Sequence, residues 1–68
     1  MSGKVRLYVD GAYIHNGTEV WVHDQCGESV LFREYKTRTG ASRCFDSVCD
    51  ALNEYGNVVL IDGLLLPA

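Results

Sequence analysis

The chain has 68 residues, 47% of them hydrophobic and 22% charged, with a net charge of −3. That length makes a single small domain over residues 1–68, and the balance of apolar and charged residues excludes a disordered chain. The acidity excludes general binding to a phosphate backbone.

Val5–Val9 reads as a strand that ends on Asp10-Gly11. Asn16-Gly17 then supplies a type I′ hairpin turn, which needs positive φ at both central residues. The same Asn16-Gly17-Thr18 matches a glycosylation pattern, but without a leader it reads as a turn. Closing the hairpin there pairs His15 with Thr18, Tyr13 with Val20 and Gly11 with Val22. Alternation across the sheet puts Val5, Leu7, Val9, Tyr13, Val20 and Val22 on a core face. Arg6, Tyr8, Asp10, Ala12, Ile14, Glu19, Trp21 and His23 take the opposite face.

A second hairpin runs through Asp24-Gln25-Cys26-Gly27-Glu28. Gly27 suits the left-handed position of a three-residue loop, which brings Val30 and Phe32 beside Val22 and Val20. A two-residue Cys26-Gly27 turn would instead bring Leu31 inside. Beyond the loop KTRTGAS, the residues Phe45, Val48, Cys49, Leu52 and Tyr55 form one apolar helical stripe. Thr39 or Ser42 caps its start and Gly56 its end. VVLID reads as a buried strand, parallel to the first by a right-handed crossover.

The predicted fold class is therefore α+β: a four-stranded mixed sheet in β-β-β-α-β order with one helix packed on one face. The open face carries Tyr8, Ile14, Trp21 and His23. Exposed apolar surface of this kind marks a contact site, for a protein target or for a homodimer through the open sheet face. The alternative cover is the C-terminal LLLPA folded back. The final apolar run, Val58–Leu66, is interrupted by Asp62-Gly63 and is too short for a membrane span, which needs roughly 20 residues.

VRLYVDGAY, the hairpins, TRTGASRCFDSVCDAL and NVVLIDG together resemble the first half of a ribonuclease H-like domain. In that family a first strand ends in Asp-Gly-Ser or a near variant and a second Asp closes strand four. Asp10-Gly11 and Asp62-Gly63 match these two positions. The family's helix glutamate falls on Cys44, and its fourth acid lies beyond the elements present. Two-metal hydrolysis needs several carboxylates around cations about 3.5–4 Å apart. The resemblance thus implies a domain without hydrolytic activity or cofactor, leaving Asp10 and Asp62 as weak candidates for a single Mg²⁺.

Cys26, Cys44 and Cys49 cannot all pair within one chain, and no leader precedes them, so reduced thiols in the cytoplasm are expected. His23 and the three cysteines have zinc-ligand chemistry. Five residues of helix between Cys44 and Cys49, however, set them about 140° apart, a poor chelating pair. Two acidic blocks, 10–28 and 44–68, bracket the basic segment 29–43. Asp46, Asp50 and Glu54 follow one another at steps of four on one helix face. That spacing gives either a solvated face or a negative strip that imitates nucleic acid charge.

These readings converge on a small acidic protein-binding module rather than an enzyme. Its contact residues would be Tyr8, Ile14, Trp21, His23, Asp46, Asp50 and Glu54, and its target a protein, basic and nucleic-acid-binding if the acidic strip docks. By analogy of class, phage or mobile-element inhibitors of host defence, such as anti-CRISPR proteins, have this size and charge. The alternative is a truncated ribonuclease H-like domain that binds metal or nucleic acid, with Arg33, Lys36, Arg38 and Arg43 as its basic patch.

Overall fold

The computed structural model describes residues 6–68. It contains β1 (Arg6–Val9), β2 (Gly11–His15), β3 (Glu19–His23), β4 (Ser29–Glu34), α1 (Arg38–Tyr55), β5 (Val58–Ile61) and β6 (Leu64–Pro67). The strands form two antiparallel sheets in the orders β1-β5-β6 and β2-β3-β4. The class is α+β as expected, but two three-stranded sheets replace the single four-stranded one. Val5 lies outside the described residues, as does the side chain of Arg6.

Asp10 is where one sheet hands over to the other. β1 pairs with β5 and β2 with β3, and between them the Asp10 amide donates to the His23 carbonyl at 2.7 Å. Inward-facing residues change parity at this break. Leu7 and Val9 are buried before it, whereas Ala12 faces the core after it. A straight strand would have kept Tyr13 inside.

The first hairpin departs from its expected register by one residue. Asn16 and Gly17 do take positive φ, 56° and 77°. The first cross-strand pair is nevertheless His15–Glu19, followed by Ile14–Val20 and Tyr13–Trp21. Thr18 is an extra residue in the turn, its carbonyl accepting the Tyr35 amide at 3.0 Å in the neighbouring ladder. A one-residue slip exchanges the faces of a strand. Tyr13 therefore joins Trp21 outside, and Ala12 and Ile14 join Val22 and Val20 on the helix side.

The second hairpin follows the three-residue reading. Gly27 has φ 94°, and the Asp24 amide donates to the Glu28 carbonyl at 3.0 Å. Val30 faces Val22, and Val30 and Phe32 both pack on the core. A bulge at Val20/Trp21 leaves Phe32 without a direct partner.

α1 starts earlier than Thr39 or Ser42 would place it: Thr37 is the cap, its side-chain oxygen accepting the Gly40 amide at 3.1 Å. Gly56 ends it at φ 77°, donating to the Leu52 carbonyl. Ala41 and Val48 are buried, with Cys44, Ala51 and Leu52 packed around the core. Tyr55, the last residue of the predicted stripe, is exposed.

β5 runs antiparallel to β1, from Val9–Val58 to Arg6–Ile61, where a parallel strand was expected. Helix length explains the difference. Eighteen residues of helix span about 27 Å at 1.5 Å per residue. The ten positions from Arg6 to His15 extend about 33 Å. Starting near Gly17, where Arg38 lies, the helix returns only to the level of Asp10. β5 therefore enters beside Val9 and must run back along β1.

β6 is an element the sequence reading lacked. Asp62 (φ 52°) and Gly63 (φ 79°) form a two-residue turn between the paired Ile61 and Leu64. LLLPA thus folds back as an edge strand of its own sheet and leaves the Trp21 face open. Pro67 sits where an edge tolerates a residue without an amide proton.

Candidate functional site

The outer face of the β2-β3-β4 sheet, turned away from α1, carries an aromatic array. Register and alternation set His15 and Tyr13 of β2 beside Glu19, Trp21 and His23 of β3, with Leu31 of β4 opposite Trp21. The rings of Tyr13 and Trp21 are 6.3 Å apart and within 11° of parallel. His23 lies 6.2 Å from Tyr13, and His15 meets Trp21 edge-on at 6.4 Å. Tyr13 remains 39% exposed and Leu31 44%, so the patch is open to a partner.

Local contacts hold the array in place. The Trp21 indole Nε1 donates to Glu19 Oε1 at 3.1 Å. The His23 ring reaches over Gly11, where a Cβ would come within 2.6 Å of its Nε2. A side chain at position 11 would thus force the His23 ring or the strand to shift. Neither β2 nor β3 contains a lysine or arginine. Glu19 stands directly opposite Glu34 of β4, a like-charge pair of the kind that destabilises a sheet.

At the end of this face a surface cleft of about 420 Å³ opens between the Asp10 break, the Asp24–Glu28 loop and Asn57. Asp10, Asp24 and Glu28 line it, with Val9 and Val58. Asp24 Oδ1 accepts the amides of Cys26 (2.9 Å) and Glu28 (2.8 Å), so it serves first as the clasp of the loop.

The residues singled out in the sequence do not form one site. Trp21 and His23 share the aromatic face. Tyr8, 61% exposed, lies on the outer face of the other sheet. Ile14 faces the helix side, opposite Val20. Asp46, Asp50 and Glu54 are all exposed on α1, across the sheet from the aromatics. Asp10 and Asp62 fall at opposite ends of the β1–β5 ladder, five positions apart and so separated by about 17 Å, too far to share an ion. Among the described residues, no group of three His, Cys, Asp or Glu side chains could hold a metal. Cys26 is exposed, while Cys44 and Cys49 are half-buried on the helix.

Tyr13 and His15 are the contributors the sequence reading missed, because the parity change at Asp10 and the extra Thr18 both act on β2. Of the basic residues, Arg33 donates to the carbonyls of Phe32 (2.8 Å) and Gly63 (2.9 Å), with its guanidinium 4.3 Å over the Phe32 ring. It ties β4 to the β5–β6 turn rather than joining a free patch. Among the described residues, no helix is long and apolar enough to cross a membrane. No family model, no curated protein and no solved structure matches the chain.

Proposed function

We propose that the protein is a small protein-binding module that acts by docking a target on the aromatic face of its β2-β3-β4 sheet. One observation carries this reading: Tyr13, Trp21, His15 and His23 form a contiguous aromatic array on the sheet face turned away from α1, with Tyr13 and His15 exposed and Trp21 and His23 half-buried. Aromatic residues are enriched in the buried centres of protein interfaces and dominate their energetics. The carboxylates along the margin, Glu19, Glu34, Asp10 and Asp24, favour a target with a basic surface. Such a module suits an inhibitor of a basic, nucleic-acid-binding protein.

The test is capture of a target with Trp21→Ala and, separately, with Asp46→Lys plus Asp50→Lys. Trp21→Ala retains the fold and lowers affinity at least tenfold, the scale of an interface hot spot. The helix double variant leaves binding within about threefold, the size of peripheral charge effects. If the helix substitutions abolish binding and Trp21→Ala does not, the acidic strip is the docking surface. A second reading has support in the same array, because sheet-borne aromatics also stack single-stranded bases. Glu19 and Glu34 beside Trp21 would repel the phosphates, so protein is the favoured ligand.

A further inference from the structure

We propose that the Tyr13–Trp21 ring pair and the facing Glu19 and Glu34 carboxylates form a recognition site for an arginine side chain of the protein partner. The inference rests on the docking face proposed above and specifies the chemistry at its centre. Three features of the face point to a planar cation. First, Tyr13 and Trp21 lie within 11° of parallel at 6.3 Å, and the faces of such rings attract a cation. Second, Glu19 is the next outward residue along β3 from Trp21, about 7 Å away. Its Oε1 is occupied by the indole, leaving Oε2 for a donor from outside. Third, Glu34 of β4 stands directly opposite Glu19, so two carboxylates face each other; β2 and β3, which carry the rings, have no lysine or arginine, and Arg33 of β4 is engaged with the carbonyls of Phe32 and Gly63.

A cation brought by the partner relieves this repulsion and gains the aromatic contact together. Arginine suits it better than lysine. A guanidinium lies flat on a ring and presents its donors in a plane that matches a carboxylate, whereas an ammonium is a point charge that holds its water strongly. The arginine stem, extended along β3, lets the head reach the carboxylates while its methylenes cover Trp21. A free phosphate or a nucleic acid backbone meets the opposite field here.

Trp21 is the only tryptophan in the chain, so its fluorescence reports occupancy directly. The experiment titrates the protein with Arg-Gly and Lys-Gly repeat peptides of equal length and charge, and with oligothymidylate, at one ionic strength. The arginine peptide is expected to bind about two- to fivefold more tightly than the lysine peptide, the effect of one exposed cation–π contact. Tyr13→Ala should bring that ratio towards one, and Glu34→Gln should weaken both peptides alike. Equal affinities for the two peptides in the unaltered protein would overturn the arginine site. So would tighter binding of oligothymidylate than of the arginine peptide. If neither peptide perturbs Trp21, the arginine site fails as well, while loss of target capture in Trp21→Ala would still uphold the docking face.

Discussion

The two sheets meet at Asp10, where β1 gives way to β2, but treat their outer faces differently. In β2-β3-β4 the alternation is plain: Val20 and Val22 are fully buried, and Trp21 and His23 point outward. β5 and β6 instead read VVLI and LLLP, apolar without alternation. Val59, which faces away from the core, is still only 6% exposed, because Tyr8 and Leu66 flank it in register. One sheet therefore serves as a scaffold, while the other presents a patterned surface. Function is sought on the patterned face, since there the outward residues are chemically distinct from the inward ones.

Truncation should separate the two roles most strongly. Leu60, buried between β1 and β6 against Leu7 and Leu65, should cost about 2–5 kcal/mol as Leu60→Ala. A domain of this size has only about 3–5 kcal/mol in hand, so circular dichroism should show a largely unfolded chain. Trp21→Ala should melt cooperatively, close to the parent. If Trp21→Ala unfolds the chain and Leu60→Ala does not, the assignment of scaffold and surface is reversed.

The junction between the sheets gives the next largest effect. Gly11→Ala would drive a Cβ to 2.6 Å from His23 Nε2 and 2.9 Å from Cε1. Either the ring leaves its place beside Tyr13 or the strand shifts, at about 1–3 kcal/mol. His23→Ala removes the obstacle, so the double variant should recover most of the loss. Denaturation of the four species measures that coupling; strictly additive losses would mean that Gly11 matters for its backbone alone.

What was legible in the sequence was local. Asn16-Gly17, Gly27 and Gly56 all marked positive φ, and the β3 and β4 faces followed from period alone, as did Val48 and Leu52 of the helical stripe, whereas Phe45, Cys49 and Tyr55 lie outside the core cluster. What was lost depends on contacts between distant residues. Thr18 slips the first register because Tyr35, seventeen positions on, takes its carbonyl. A strand read without that slip and without the handover at Asp10 places Ile14 in the candidate site and keeps Tyr13 out of it. β6 was lost for another reason. Asp62-Gly63 between apolar runs carries the same hairpin signal as Asn16-Gly17, but the resemblance to a ribonuclease H-like domain assigns Asp62 to an acidic position at the end of a strand. The two roles can be told apart. In the turn, Asp62 holds φ 52°, so Asp62→Asn should keep stability within about 0.5 kcal/mol, whereas Asp62→Val should cost about 1–2 kcal/mol. Equal losses from both would point to the carboxylate itself.

The smallest expected effect lies where the patterned sheet meets the helix. Tyr35, just past β4, packs its ring on Gly40 of α1 and carries a phenol whose pKa is raised above its ordinary value. The largest cause is its hydrogen bond to Cys44, followed by partial burial and by the charge of the ionised thiol; the Arg33 guanidinium acts in the opposite direction. A raised pKa means that the folded chain keeps this proton to a higher pH than the unfolded chain does. The associated stability is therefore complete below the ordinary phenol value and declines as pH rises through the folded one. Tyr35 is 36% exposed, and solvent screening keeps the effect on stability small, so titration of the phenol is the better measure. Followed by the carbon resonance of its ring, Tyr35 should titrate lower in Cys44→Ala and higher in Arg33→Gln. An unchanged midpoint in Cys44→Ala would show that the thiol does not reach the phenol, and the contact between this end of β4 and the helix would rest on the ring and Gly40 alone.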